Sequence, residues 1–137
     1  GVVENCLKIK GALPVDEAKD LDDKILIIAA LWHDVAYIFY RLDFMMIFLE
    51  GRRARRIVKK YFRDLDIGKQ DTDLISDMIF YHAGSSFGIL NKKRSLYHQV
   101  LQDADTMEIF NPERFQKIGE QTKLTAYWFL SVEFSSR

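Results

Sequence analysis

The sequence predicts an all-α fold on three observations. Apolar residues recur at helical spacing in four separate stretches, around Val2–Ile9, Ala54–Phe62, Leu74–Ile79 and Leu96–Leu101. No stretch shows the alternation of a half-buried strand or the short turn of a hairpin. Glycine, proline and polar clusters punctuate the periodic stretches where helices should stop. At 137 residues, 48% of them apolar, the chain is long enough for one sizeable core and too short for two, so residues 1–137 are expected to form a single domain.

Val2, Val3, Cys6, Leu7 and Ile9 form the stripe of a first helix, and Gly11 followed by Leu13-Pro14 stops it. Asp16 to Asp23 is an acidic connection running into a helix N-terminus, where carboxylates suit the positive end of the dipole. Ile25 to Trp32 is apolar on nearly every face and so belongs at the centre of the domain, with His33 and Asp34 emerging at its end. From Val35 to Glu50 the period is lost and Tyr37, Phe39, Tyr40, Phe44 and Phe48 crowd in, so the helix either continues or breaks into a lid. After Gly51, a third helix carries Ala54, Ile57, Val58, Tyr61 and Phe62 inward and a basic outer side, Arg52 to Lys60.

Asp64 to Asp71 reads as a polar loop containing Gly68. Thr72 with Asp73 can cap the helix that follows, which carries Leu74, Ile75, Met78 and Ile79 to His82 and ends at Gly84-Ser85-Ser86. Leu96, Tyr97, Val100 and Leu101 form another stripe, running into Asp103 and Asp105. Asn111-Pro112-Glu113 opens a final helix, with proline in the first turn where its missing N–H costs little, continued by Phe115, Ile118, Leu124 and Trp128.

Twenty basic residues balance twenty acidic ones. This argues against a general nucleic-acid or membrane-surface binder, which needs a net positive field, and no membrane partner is expected. The balance is uneven, however. Residues 51–69 carry eight Lys/Arg against two Asp, while the first 50 carry nine acids against five bases. A single cysteine, Cys6, with no metal-type cysteine pair, suits a reducing, cytoplasmic setting. The most apolar run, Tyr37 to Leu49, is shorter than the roughly 20 residues a membrane span needs and is interrupted by Arg41 and Asp43. Core burial or a homo-oligomer contact is expected of it instead.

Neutral histidine and ionised aspartate suit a hard or borderline divalent ion that keeps positions open for water and substrate. Three such sites end or follow apolar helices here: His33-Asp34, His82, and Asp103 with Asp105. Adjacent helical residues project about 100° apart, so His33 and Asp34 can share one ion only at the helix flank. Spacing leaves both a ligand pair and a buried structural pair open.

The segments "AALWHDVAY" (29–37), "EGRRARRIV" (50–58), "MIFYHAG" (78–84) and "LQDADTMEIF" (101–110) together resemble the HD-domain metal-dependent phosphohydrolases, in the family's order. The resemblance implies a single HD-domain helical bundle of about five to seven helices, with one divalent ion, or two, among Mn, Mg, Fe, Ni and Zn. It also implies hydrolysis of a small phosphate ester or nucleotide. His33, Asp34 and Asp105 match the family's metal ligands, and His82 matches a histidine that in some members contacts a second metal or substrate phosphate. Asp34 would also orient the attacking water, which makes it the catalytic residue. Substrate phosphate would be met by Arg52, Arg53, Lys92, Lys93 or Arg94.

The family also carries an earlier histidine, and the register of Val2–Ile9 puts it just before Gly1. Either the chain starts past it or this is a degenerate member. Asp43 and Glu50 are the acids nearest after the pair, and neither is a secure base. His98 is expected at the surface or behind the ligands, and Asp103 as a supporting hydrogen-bond partner. The alternative to an enzyme is a catalytically silent HD fold that binds nucleotide or serves as an interaction module. An oxidase holding two irons would need more histidines than the three present.

Overall fold

A computed structural model describes residues 1–41, 44–84 and 95–113 of the chain. Seven helices lie within them: α1 (Val2–Ala12), α2 (Val15–Ala18), α3 (Asp23–Trp32), α4 (Ala36–Phe39), α5 (Met46–Phe62), α6 (Lys69–Gly84) and α7 (Leu96–Ile109). No strand occurs among the described residues. The final helix expected from Asn111 onward lies outside them after Glu113, whose N–H bonds to the Asn111 side chain at 3.0 Å.

α5 packs along α6, while α3 touches α1, α6 and α7 and so holds the middle of the bundle. The reason is its composition: Ile25, Leu26, Ala29 and Ala30 are buried on one side, and the small Ala29 and Ala30 let neighbouring helices approach. Leu26, Val58, Phe62, Ile75, Ile79, Val100 and Leu101 form the core around it. Burial of each such side chain stabilises by roughly 1.5–3 kcal/mol. The central placement is incomplete, because Leu31 in the last turn of α3 is 67% exposed.

Two polar ties set α3 and α7 in register. Asp22 caps α3, its carboxylate accepting from the Lys24 N–H at 2.8 Å. The Tyr97 hydroxyl, in the first turn of α7, accepts from the Asp22 N–H at 2.6 Å and donates to Asp20 O at 3.2 Å. On α1, the Asn5 amide donates to Ala104 O at 3.2 Å, one residue before Asp105.

The structure resolves the ambiguous middle of the chain as a break. The backbone turns at His33–Val35, makes the single turn of α4, and then enters α5 at Met46. α5 therefore starts five residues before Gly51, and Gly51 is no boundary. A Cβ there would sit 2.6 Å from Phe80 O, so glycine is what allows α5 and α6 to meet. Likewise α6 begins at Lys69, which places Thr72 and Asp73 inside the helix instead of at the cap. Most described residues of the run Tyr37 to Leu49 are not core: Met46 is buried and Tyr40 packs against the core, but Tyr37, Ile38, Phe39, Phe44, Met45 and Phe48 are exposed.

Candidate metal centre

His33 follows the last residue of α3 and His82 lies in the last turn of α6. Each is buried, and each uses the same local device. The ring Nδ1 of His33 lies 2.6 Å from Ala30 O, and that of His82 lies 2.7 Å from Ile79 O. A carbonyl only accepts, so both Nδ1 atoms carry a proton and both Nε2 atoms are turned to the same space. The rings stand nearly edge to face, with centroids 5.2 Å apart and planes at 76°.

Three carboxylates meet those Nε2 atoms. His33 Nε2 is 3.1 Å from Asp34 Oδ2 and 3.6 Å from Asp105 Oδ1. His82 Nε2 is 4.0 Å from Asp34 Oδ1 and 4.0 Å from Glu50 Oε1. Donor atoms of His33, His82 and Asp105 all lie within 4.8 Å of one another, as do those of Asp34, Glu50 and His82. The four ligand residues expected from sequence are thus brought together, and Glu50 joins them.

Glu50 is the residue that reading along the chain left unassigned. Its Oε2 accepts a hydrogen bond from the Tyr37 hydroxyl at 3.0 Å. Burial, then the neighbouring Asp34 and Asp105 charges, push its pKa up against the lowering effect of the Tyr37 bond. The same surroundings, burial first and the Glu50 charge second, hold the Tyr37 hydroxyl up at about 12. An acid near the head of α5 amid apolar side chains was the available signal.

The histidines respond oppositely. Burial lowers the pKa of His82. Burial also works against a charge on His33, but the bonds to Asp105 and Asp34 outweigh it and raise that pKa to about 10. Three carboxylates around one imidazolium leave a negative excess. Such a donor set, two oriented nitrogens and three oxygens in a partly closed space, fits a divalent cation.

The remaining residues expected at the site are distributed elsewhere. Arg53 stacks over Tyr40, 4.6 Å from the ring centroid, with Nη1 3.4 Å from Met46 Sδ. Arg52 leaves α5 about 160° around the helix from Glu50 and is exposed. Lys92, Lys93, Arg94 and Asp43 lie outside the described residues. Asp103 is exposed, and its carboxylate makes no hydrogen bond among the described residues. His98 is neither at the surface nor bonded behind the expected ligands, but buried in a contact of its own. Its Nε2 is 3.0 Å from Asp77 Oδ2 and its Nδ1 2.7 Å from Ser95 Oγ, while Arg55 holds the other oxygen of Asp77.

A family model described as HD domain matches residues 1–109, four-fifths of the chain. The chain belongs to the HD-domain family. Membership places the chain in a superfamily of metal-dependent hydrolases whose members bind divalent ions. Neither the comparison with curated proteins nor that with solved structures finds a match. Among the described residues, no helix of this HD domain is long and apolar enough to cross a membrane.

Proposed function

We propose that this HD domain is a metal-dependent phosphohydrolase acting on a small phosphate ester or nucleotide. The observation that carries the reading is the pair of imidazoles locked by their own helices, Nε2 outward, against Asp34, Glu50 and Asp105. His33, His82 and Asp105 would hold the principal ion. The nitrogen of His82 belongs to both donor groups, and its one lone pair serves one ion. A second ion would therefore rest on Asp34 and Glu50, with substrate or water completing it.

A bound divalent ion supplies a Lewis acid that acidifies water and neutralises phosphoryl oxygens. The protein's own residues supply orientation and proton handling. Asp34, with 53% of its side chain exposed, is the carboxylate best open to solvent and substrate, and its oxygens orient the attacking water. Glu50, with its pKa raised and one oxygen occupied by Tyr37, takes or returns a proton at Oε1. Phosphoryl transfer depends mainly on such positioning and charge neutralisation.

The test is metal content of the purified chain together with turnover of p-nitrophenyl phosphate and nucleoside monophosphates in added Mn, Mg, Ni or Zn. Activity that follows metal and disappears in His33→Ala and Asp105→Ala, with unchanged helical circular dichroism, is the expected result. A second reading, a silent HD fold that binds nucleotide, is favoured by one fact. Only two of the three histidines face the site, the third being engaged by Asp77. Nucleotide binding without turnover in any metal selects that reading.

A further inference from the structure

α5 carries a second pattern on the side away from Glu50. At about 100° per residue, Met45, Phe48, Arg52, Arg56, Lys59 and Arg63 fall within an arc of about 80°, Met45 and Arg63 being helical cap residues. All six are exposed. Phe48 is 60% and Phe44 74% accessible, and their rings pack with centroids 5.8 Å apart. The arc is thus apolar at its N-terminal end and cationic beyond.

Few acids balance it. Glu50 is the only carboxylate within α5, and it projects about 160° from Phe48, toward Tyr37 and His82. Lys59 lies 3.9 Å from Asp73. Arg52, Arg56 and Arg63 have no carboxylate partner among the described residues. The zero net charge of the whole chain does not cancel this field, because a charge farther away than about 8–10 Å is screened at physiological salt.

We propose that this arc docks the protein on the surface of an anionic lipid bilayer. Phe44, Met45 and Phe48 enter the boundary between headgroups and acyl chains, and Arg52, Arg56, Lys59 and Arg63 meet lipid phosphates. Apolar anchors beside a cationic stripe on one helix face match that boundary, which is apolar below and anionic above. A second copy fits less well. The patch would pair with itself, and the arc has no carboxylate to offer the partner's arginines. A polyanion such as nucleic acid would meet the cations but leave the phenylalanines without a role. The membrane is touched and not crossed, since no described helix is suited to crossing.

Co-sedimentation of the full chain with vesicles tests this, using phosphatidylcholine alone and phosphatidylcholine with about one-third phosphatidylserine. Each cation at an anionic surface strengthens binding by roughly fivefold. The expected result is binding to the mixed vesicles only, weakened about tenfold or more in R52E/R56E and lost at high salt. F44S/F48S, whose side chains are exposed and whose fold is checked by circular dichroism, should weaken it as well. Equal binding to both vesicle types, or to neither, overturns the proposal. So does a dimer in sizing chromatography that F44S/F48S dissociates while vesicles bind nothing, which assigns the patch to a second copy. Salt-dependent binding of duplex DNA with no response to F44S/F48S assigns the stripe to nucleic acid and equally overturns it. None of these outcomes depends on phosphohydrolase activity.

Discussion

Two buried histidine–carboxylate clusters stand on the same helices, and their difference separates a ligand from a strut. In the first, His33 and His82 spend Nδ1 on their own backbone and turn Nε2 toward three carboxylates at 3.1 to 4.0 Å. In the second, both nitrogens of His98 are already bound, to Ser95 and Asp77, and Asp77 is bound in turn by Arg55. The second cluster has its cation in the form of a guanidinium. The first has more carboxylate than cation, and its donor atoms lie close enough to share an ion. Burial alone does not distinguish them, since all three rings are nearly inaccessible. What distinguishes them is the surplus of carboxylate around His33 and His82, against the guanidinium that answers Asp77.

Replacing ligands should break this comparison most visibly. In His33→Ala and Asp105→Ala, affinity for a divalent ion is expected to fall by more than about 100-fold, beyond the loss typical of an outer supporting residue. Isothermal titration with Mn²⁺ and metal analysis of the purified variants measure this. His98→Asn should retain metal within a few-fold. A comparable loss in His98→Asn would mean that the two clusters are not separate.

Stability separates the clusters less sharply. His98→Asn removes the buried imidazole that joins Asp77 to Ser95, and the loss of its two hydrogen bonds costs about 1–3 kcal/mol. Thermal melting of the metal-free protein is therefore expected to drop by several degrees. His33→Ala should cost the metal-free protein at least as much near pH 7, because it removes the cation that Asp34 and Asp105 bond and leaves the carboxylates uncompensated. Gly51→Ala provides a third point. Its Cβ meets Phe80 O at 2.6 Å, so α5 and α6 must part, and a penalty of about 1–3 kcal/mol is expected. An unchanged melting temperature in Gly51→Ala would rule out the close approach of α5 and α6.

The helical periodicity that marks α1, α5, α6 and α7 is a property of neighbours in sequence, and so it was readable. The ligand residues were readable through four short segments in a known order. What could not be read is what depends on distant contacts. Glu50 counts as a site residue only because α5 brings it to within 4.0 Å of His82. Gly51 looks like a stop in the sequence, yet the reason for it is the carbonyl of Phe80. The burial of His98 against Asp77, 21 residues earlier, leaves no local sign in the sequence, which suits the surface or a place behind the ligands equally. The aromatic run suits core burial or an oligomer contact on composition, but hydrophobicity does not specify whether any other part of the chain covers it.

Acidity should sharpen the contrast in the metal-free protein. The pKa of His33 is raised to about 10 from an ordinary 6.5. A group raised in this way stabilises the fold fully below the unfolded value, and that contribution is lost as pH climbs from about 6.5 through about 10. Metal binding must displace this proton, so it should weaken as pH falls. Melting curves with EDTA are thus expected to decline between pH 7 and 10, while the gain in melting temperature on adding Mn²⁺ should be larger at pH 8 than at pH 6. A gain that is larger at the lower pH would show that His33 is not among the ligands.

The smallest effect, and the most specific, belongs to Tyr37→Phe. The ring remains and only the hydroxyl that donates to Glu50 Oε2 at 3.0 Å is removed, so stability should change by no more than about 0.5–1.5 kcal/mol. That bond lowers the pKa of Glu50 against burial; without it the carboxyl should protonate more readily. If Glu50 handles a proton in turnover, the acidic limb of kcat/KM moves to higher pH in Tyr37→Phe. Ser95→Ala, which removes an equivalent hydroxyl from the His98 cluster, should leave that limb in place. A shift in Ser95→Ala with none in Tyr37→Phe would exchange the roles of the two clusters, because the proton that matters would then lie on the strut.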